Sequence, residues 1–304
     1  MRGQDRLASF DLKGLIVASF GRQYSVEIEG RVFSCPRRGK KTDVVVGDRV
    51  IVDAECSVIE SIEPRDSLLY RSDSYREKRI AANLTQIVFV LAAVPTFSEE
   101  LLNLCLIAAE DQRLKILVVL NKADLSIETG KARKILEPYA ALGYRMLELS
   151  AKTDISPLLP YLQGERSVLV GQSGMGKSTI VNALIPESKR ATAEISEALD
   201  SGRHTTTHAM LFHLGPDSDI VDSPGLQEFG LHHMDPDRLA LAFPEFRPHL
   251  GHCRFRNCRH LEEPGCALQA ALQGGSIGQA RLALYRKVAA RLHLPKFRKG
   301  PSEK

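Results

Sequence analysis

The sequence predicts a multidomain α/β protein: an N-terminal β-barrel, a central mostly parallel sheet with helices on both faces, and a small helical C-terminal unit. Short alternating apolar runs separated by glycine turns extend to about Arg65, and longer apolar runs then alternate with helical segments. After Asp235 the pattern changes to a cysteine-containing region followed by a basic helix. The predicted domains are therefore residues 1–82, 83–234 and 235–304.

Composition and charge are those of a soluble globular protein. The 304 residues allow two or three domains with cores of their own, and the net charge of +4 permits nucleic-acid binding without requiring it. No apolar run is long enough to span a bilayer, and residues 1–10 lack the apolar core of a signal peptide. We expect a cytoplasmic monomer that does not contact a membrane.

The first predicted domain is a small barrel. Five short alternating runs, at residues 12–20, 24–29, 31–35, 49–54 and 57–62, have the spacing of an all-β unit, for which an OB-fold is the natural candidate. OB-folds bind oligonucleotides on one face. The basic loop at residues 37–41 is either part of such a surface or a solvated loop, and the composition does not separate the two. Residues 64–79 are predicted to be a charged connector.

A phosphate-binding loop is predicted at residues 171–178, which spell G-x-x-x-x-G-K-S. A short buried strand precedes it and a helix follows, which is the context that this motif requires. Backbone N–H groups of such a loop point at a phosphate, the lysine reaches the β- and γ-phosphates, and the serine hydroxyl holds Mg²⁺. The alternative is a glycine-rich turn that matches the motif by chance. The predicted phosphate-binding residues are Val170, Gly171, Gln172, Ser173, Gly174, Met175, Gly176, Lys177 and Ser178.

Two further motifs predict that the base is guanine. N-K-A-D at residues 121–124 follows a buried strand, and the carboxylate of Asp124 can accept from the guanine N1–H and 2-amino group together. Adenine lacks that donor pair and would leave the carboxylate unpaired. S-A-K at residues 150–152 ends another strand, where a backbone N–H would meet the guanine O6. The predicted guanine-binding residues are Asn121, Lys122, Ala123, Asp124, Ser150, Ala151 and Lys152.

The order of the motifs is that of a circularly permuted GTPase, because the guanine motifs precede the phosphate-binding loop. Chain termini often lie close together at the surface, so a fold can tolerate such a change of cut point. D-S-P-G at residues 222–225 then supplies Asp222 to orient Mg²⁺ through water and the Gly225 N–H to sense the γ-phosphate. The threonines of residues 202–207 supply the first switch. Magnesium is predicted on Ser178, Thr206 and Asp222, with Thr205 not firmly separated from Thr206.

Three cysteines and a histidine crowd together in the C-terminal unit. Cys253, Cys258, His260 and Cys266 give three sulfur ligands and one imidazole, a closed set typical of structural Zn²⁺. Their spacing is not that of a common zinc finger, so the alternative is a group of core cysteines beside a surface histidine. The many Lys and Arg residues of positions 281–304 favour an RNA-contacting tail, although a solvated basic face would have the same composition.

The chain resembles the bacterial RsgA/YjeQ family of ribosome small-subunit-dependent GTPases. The resemblance is carried by the permuted order and by G-R-H-T-T-T (202–207), F-P-E-F (243–246) and C-R-F-x-x-C-x-H (253–260). It extends from V-G-D-R-V at residues 46–50 to the C-terminal basic helix. It implies an OB-fold, one structural Zn²⁺ on the four ligands above, Mg²⁺ with GTP, and a role in late assembly of the 30S subunit. The implied partners are that subunit, its 16S rRNA, GTP and GDP.

Catalysis is expected to depend on the partner. Many GTPases place a glutamine after the glycine of D-x-x-G to orient the attacking water, and here that position is Leu226. Intrinsic turnover should then be slow, and the resemblance offers His204 as the residue that acts instead. The predicted catalytic residues are His204, Thr206 and Lys177. Two alternatives stay open: a GTP-gated RNA-binding scaffold with negligible turnover and, opposed by residues 121–124, a P-loop kinase.

Overall fold

The structure is a computed structural model that describes residues 11–39, 43–53, 57–72, 77–185, 209–223, 231 and 234–292. Its main feature is an eleven-stranded mixed sheet that continues from the central domain into the barrel, and a separate two-stranded hairpin accompanies it. None of the helices in these ranges is long and apolar enough to cross a membrane. The predicted α/β class is confirmed.

The N-terminal unit contains five antiparallel strands. They are β1 (Asp11–Phe20), β2 (Gln23–Ile28), β3 (Arg31–Pro36), β4 (Arg49–Asp53) and β5 (Val58–Ile62). β1 lies between β2 and β4, β3 extends the β2 edge and β5 the β4 edge, and a bridge between Arg37 and Ile59 brings β3 to β5. Alternate residues such as Ile16, Val26 and Val50 fill a core that belongs to this unit alone. The predicted barrel is confirmed.

The expectation of a simple charged connector is wrong. Two strands, β6 (Leu68–Ser72) and β7 (Glu77–Ala82), form an antiparallel hairpin that starts in this segment and extends past its predicted end. The apolar residues Leu69, Ile80 and Ala81 pack into the large central core and not into the barrel core. Charged residues around these apolar positions concealed the alternation in the sequence. The domain boundary near Asn83 stays a prediction.

The central domain is a sheet in the strand order β10-β9-β8-β11-β13-β12. Its elements are β8 (Gln86–Ala92), α1 (Glu99–Asp111), β9 (Lys115–Asn121), α2 (Ser126–Ala141), β10 (Arg145–Glu148), α3 (Leu159–Leu162), β11 (Arg166–Val170), α4 (Lys177–Leu184), β12 (Met210–Gly215) and β13 (Ser218–Asp222). All neighbours are parallel except β12, which is antiparallel to β13. The carboxyl ends of five parallel strands therefore meet at one edge, where ligands of such sheets bind.

The C-terminal unit is helical and packs on the central domain. Two 3-10 helices (Pro236–Ala242 and Pro244–His249) precede α5 (Ala267–Gln273) and α6 (Gln279–Leu292). Phe243 and Phe246 stack at 4.7 Å, and the ring of Tyr285 on α6 meets both edge-on at 5.6 Å. These aromatic residues belong to the same continuous core as the central sheet. The two units therefore share one hydrophobic core.

Candidate nucleotide and metal sites

The loop between β11 and α4 has a backbone that only glycine allows at two points. Gly171 and Gly176 have φ angles of 149° and 92°. A Cβ atom at Gly171 would lie 2.2 Å from the carbonyl oxygen of Val90, and one at Gly176 would lie 2.3 Å from the side-chain nitrogen of Asn121. The glycines therefore let the loop lie directly against β8 and β9, as a loop that wraps around a phosphate must.

Lys177 and Ser178 form the first turn of α4, directly after Gly176. The Lys177 ammonium donates to the carbonyl oxygens of Gly171 at 2.5 Å and Gln172 at 2.7 Å, so it lies across the mouth of the loop. Burial lowers its pKa, and the nearby charge of Asp222 opposes that shift. A half-buried cation beside loop amides and a helix N-terminus is an arrangement that attracts a polyphosphate.

Asn121, the last residue of β9, joins three of the predicted motifs. Its side chain is 3% exposed, donates to the carbonyl oxygen of Met175 at 3.0 Å and accepts from the Ala151 N–H at 3.0 Å. One buried amide thus connects the phosphate-binding loop, N-K-A-D and S-A-K. Because each hydrogen bond is buried, loss of the amide would leave a polar group of each neighbouring loop without a partner.

The ends of β9 and β10 supply the groups that would surround a guanine base. A hydrogen bond from Ser150, followed by a backbone bond, lowers the pKa of the exposed Asp124 carboxyl, so the group is ionised near neutral pH. The Ala123 N–H donates to Leu149 at 3.1 Å and fixes the two loops to each other. Ala151 N–H is already used by Asn121, whereas no acceptor for the Lys152 N–H occurs among the described residues. Among the described residues, the Lys152 N–H is therefore a backbone donor that remains available to a ligand.

Residues 93–98, between β8 and α1, also contact the motifs, which the sequence did not indicate. The side-chain oxygen of Gln172 accepts the Ser98 N–H at 2.6 Å, and Ser98 in turn caps α1 through the Leu101 N–H. The Lys122 ammonium donates to the carbonyl oxygen of Val94 at 2.7 Å. No local pattern marks such contacts, because their partners are 28 and 74 positions apart in the chain.

The donors predicted for magnesium are a hydroxyl and a carboxylate, the hard oxygen ligands that Mg²⁺ takes. Ser178 lies at the start of α4 and Asp222 at the end of β13, and Asp222 is close enough to Lys177 to influence its pKa. These residues fit the ion. The predicted switch residues His204, Thr206 and Gly225, together with Leu226, lie outside the described residues.

The four predicted zinc ligands come together. One ligand atom from each of Cys253, Cys258, His260 and Cys266 lies within 4.8 Å of the others. The three sulfurs lie 3.4, 3.6 and 3.5 Å from Nδ1 of His260. Ordinary Zn–S and Zn–N bonds at tetrahedral angles give a sulfur–nitrogen separation of about 3.6 Å. The donor set therefore fits one tetrahedral Zn²⁺ with no open position.

Hydrogen bonds around the cluster hold its ligands in place. The Ala267 N–H points at Cys253 Sγ at 3.3 Å, and the Glu263 carboxylate accepts the N–H groups of Arg259 and Leu261, which flank His260. Burial first, and then contact with the other two thiols, raises the pKa of Cys258 to about 12. A dication is what would stabilise three neighbouring thiolates here, because thiols alone would stay protonated at neutral pH.

A buried polar network joins the C-terminal unit to α1. Arg281 on α6 donates to Glu245 and to the side-chain oxygen of Asn103, both at 2.5 Å, and its guanidinium lies 4.7 Å from the centre of the Phe243 ring. Asn103 itself donates to the Tyr139 hydroxyl on α2. This network was missed from the sequence, where 178 positions separate Asn103 from Arg281.

Fold and site together define a circularly permuted GTPase: the strand order is that of one sheet, and the motifs meet although their order along the chain is changed. The model of the RsgA GTPase family matches residues 62–232. The chain is 52% identical to the small ribosomal subunit biogenesis GTPase RsgA of Nitrosospira multiformis over 295 residues, which cover 96% of this chain and 94% of the relative. It is 52% identical to the protein of the same name from Nitrosomonas europaea, over 91% of this chain and 90% of the relative.

Two solved structures have the same fold over nearly the whole chain. The crystal structure of YjeQ from Thermotoga maritima aligns with a TM-score of 0.71 at 30% identity and covers 94% of this chain and 100% of that one. YloQ, described as a circularly permuted GTPase, aligns with a TM-score of 0.68 at 26% identity over 95% and 98%. The chain belongs to the RsgA GTPase family, and it is a hydrolase that acts on GTP.

Proposed function

We propose that this GTPase acts in the biogenesis of the small ribosomal subunit and that the subunit completes its active site. The observation that carries the nucleotide part is the position of Asn121, which connects all three nucleotide motifs by buried hydrogen bonds. The partner is supported by the relatives, which are named for small-subunit biogenesis and match this chain over at least nine-tenths of its length. We further propose 16S rRNA as the surface contacted, and a cytoplasmic monomer as the working form.

The base would be selected by two groups at the ends of β9 and β10. Asp124, whose pKa is lowered by a hydrogen bond from Ser150, would accept from the N1–H and 2-amino group of guanine. The Lys152 N–H donates to O6. Adenine reverses the polarity at both positions, so it would leave a carboxylate and an amide unpaired.

The phosphates would occupy the loop between β11 and α4. Loop amides and Lys177 hold the β- and γ-phosphates, which requires the lysine to exchange its bonds to the carbonyls of Gly171 and Gln172 for bonds to phosphate. Ser178 and Thr206 would hold Mg²⁺, with Asp222 orienting it through water, and the bound ion would supply positive charge to the phosphate oxygens. Water attacks the γ-phosphorus, and the bond from that atom to the oxygen shared with the β-phosphate breaks. The products are GDP and phosphate.

The group that orients the attacking water is the incomplete part of the proposed active site. Leu226 cannot accept a hydrogen bond, and His204 remains our candidate from the family resemblance. We propose that binding of the small subunit brings His204 and Thr206 to the γ-phosphate. Zn²⁺ on the Cys3His set has no open position and would serve structure alone.

The test measures phosphate release by the full-length protein with purified small subunits, with large subunits and alone. Small subunits should raise kcat strongly, on the order of 10³-fold or more, as in GTPases completed by a partner, whereas large subunits should not. His204→Ala should lose most of the stimulation and keep GTP affinity, because the contact is made in the transition state.

Two controls make the result specific. Thr206→Ala should lower kcat more than Thr205→Ala does, because Thr206 is the proposed magnesium ligand. The subunit proposal is wrong if both ribosomal subunits have the same effect on kcat. The role of His204 is wrong if His204→Ala responds to small subunits as the wild type does.

A further inference from the structure

The loop between the first two zinc ligands has an unusual surface. Residues 254–257, the knuckle loop, have the sequence Arg-Phe-Arg-Asn, and all four side chains are exposed. Phe255 is 42% exposed, whereas Phe243 and Phe246 of the same unit are fully buried. The guanidinium of Arg254 lies 5.4 Å from the centre of the Phe255 ring, within the range of a cation–π contact.

The backbone of the knuckle loop is held on both sides. The Arg254 N–H donates to the carbonyl oxygen of Gly265 at 3.0 Å, and the Cys258 N–H donates to that of Phe255 at 3.2 Å. Gly265 has a φ of 74°, and a Cβ atom there would lie 2.9 Å from the Cβ of Arg254, so the two segments pack in direct contact. The zinc ligands Cys253 and Cys258 fix both ends. An aromatic ring on such a loop is presented to solvent with little freedom to turn inward.

The arginines around Phe255 differ from those on the other side of the same unit. Towards the central domain, the arginines at 238, 247, 281 and 291 each pair with a carboxylate of Asp111, Glu110, Glu245 or Glu100. At the knuckle, no carboxylate of the described residues lies within ion-pair distance of Arg254, Arg256 or Arg259. The acidic residues nearest to the knuckle arginines in sequence are Glu262, which is exposed, and Glu263, whose carboxylate accepts backbone N–H groups.

We infer that the knuckle loop is a binding site for an unpaired nucleobase of single-stranded RNA, which stacks on Phe255 while Arg254, Arg256 and Arg259 contact the adjoining phosphates. An exposed aromatic ring among unpaired arginines is the combination that proteins use for single strands, because every base has a face that can stack. A duplex would meet the cations but would offer no free face to the ring. That the nucleic acid is RNA rests on the proposed function.

The experiment uses the full-length zinc-loaded protein and fluorescence anisotropy with a labelled ten-nucleotide oligouridylate and a duplex RNA of ten base pairs. Phe255→Ala should weaken binding of the single strand about 5- to 150-fold, the range for loss of one stacked base, and should leave duplex binding nearly unchanged. Phe255→Trp, which can still stack, should bind the single strand about as well as the wild type. Phe255→Leu, which is apolar but cannot stack, should bind it as weakly as Phe255→Ala. Arg256→Gln should weaken both RNAs and reduce the slope of log affinity against log salt by about one.

Controls separate the site from the fold. Ile127 on α2 is 74% exposed and distant in sequence from the knuckle, so Ile127→Ala should bind like the wild type. Every variant should keep one equivalent of zinc and the wild-type GTP affinity. The inference is overturned if the wild type does not bind the single strand, if Phe255→Leu binds as well as wild type, or if polyglutamate competes as strongly as RNA, which would indicate an acidic protein partner.

Failure of this inference can be distinguished from failure of the proposed function. If small subunits stimulate GTP hydrolysis and Phe255→Ala binds the oligonucleotide normally, this inference fails alone. If binding depends on Phe255 but small subunits do not stimulate, the knuckle site stands and the role in small-subunit biogenesis fails.

Discussion

The central domain is joined to its two neighbours in opposite ways. The joint with the C-terminal unit is mostly buried: one hydrophobic core runs through both, and Arg281 bonds to Glu245 and Asn103 inside it, where the two charged side chains are 14% and 8% exposed. An outer row of ion pairs from α6 and the 3-10 helices to α1 surrounds this centre.

The joint with the barrel has few apolar contacts: Val46 lies in the central core, Leu15 and Val17 pack against it, and the other contacts are backbone and polar. β1 meets β12 at a single register pair, Ala18 with Met210. The Ala82 N–H donates to Val46, and Gly47 lies so close to the carbonyl of Ala82 that a Cβ atom would be 2.2 Å from it. The barrel keeps a core of its own.

This difference indicates which parts move together. A shared core has few alternative packings, so the C-terminal unit is expected to follow α1 as one body. Ser98, the N-cap of α1, donates its N–H to Gln172 of the phosphate-binding loop, so nucleotide contacts reach this joint through one helix. The barrel contributes only a few residues to the central core and keeps its own, so its orientation is expected to adjust more independently.

The largest effect on this comparison should come from removing zinc. Cys253 and Cys258 pack against the shared core, so loss of the ion should unfold the C-terminal unit and destabilise the central domain, by several kcal/mol in total. Cys258→Ser, or chelation of the wild type, should increase hydrogen exchange in residues 234–292 and in α1, while the barrel strands and GTP binding persist.

Cys35 provides a matched control, since it is buried in the barrel core, far from the ligands in sequence. Cys35→Ala should keep one equivalent of zinc and increase exchange in the barrel alone. Absence of zinc from freshly purified wild-type protein, by metal analysis, would remove the basis of this prediction.

A smaller loss is expected from breaking the buried ion pair. Arg281→Met leaves Glu245 buried without its partner, which typically costs about 3–5 kcal/mol. Arg291 lies on the same helix as Arg281 and forms an exposed pair with Glu100 of α1, so Arg291→Gln should cost at most about 1 kcal/mol. Urea unfolding of both variants measures the difference.

A double variant tests the cause of that loss. Adding Glu245→Gln to Arg281→Met removes the uncompensated charge and should restore part of the stability. Equal losses for Arg281→Met and Arg291→Gln would show that this joint is not held by its buried centre.

The elements and the nucleotide motifs could be predicted from the sequence, whereas the joints could not. Loops at strand ends carry local signals, and a parallel sheet brings all its carboxyl ends to one edge, so the motifs 121–124, 150–152 and 171–178 were placed correctly beside one another. The sequence around Arg281 does not indicate that Glu245 or Asn103 is its partner, because the pairing depends on how distant helices pack. The β6–β7 hairpin was missed for a related reason. Its buried residues pack into the central core, which is formed by parts of the chain distant in sequence.

The smallest expected effect concerns a histidine at the barrel joint. His213 on β12 contacts Glu27 of the barrel strand β2 through Nε2 and Asp219 of β13 through Nδ1, both at 2.6 Å, and Asp219 also accepts from Arg166. Burial lowers the pKa of His213, but the hydrogen bonds to Glu27 and Asp219 outweigh it and raise the pKa above its ordinary value. Both ring nitrogens can donate to carboxylates when the imidazole is charged.

A folded pKa above the unfolded value fixes the sign of the pH dependence. The contribution of His213 is fully present below its unfolded pKa of about 6.5 and is lost as pH rises through the folded pKa. Because the ring is partly exposed, the loss should be no more than about 1 kcal/mol. Urea unfolding of wild type and His213→Gln at pH 6 to 9 should show a stability difference that shrinks as pH rises, with faster hydrogen exchange at the β1–β12 contact above the folded pKa. Glu27→Gln should reduce that pH dependence while leaving the C-terminal joint unchanged. A wild-type-minus-His213→Gln difference that stays constant across this range would mean that the barrel is held by its backbone contacts alone.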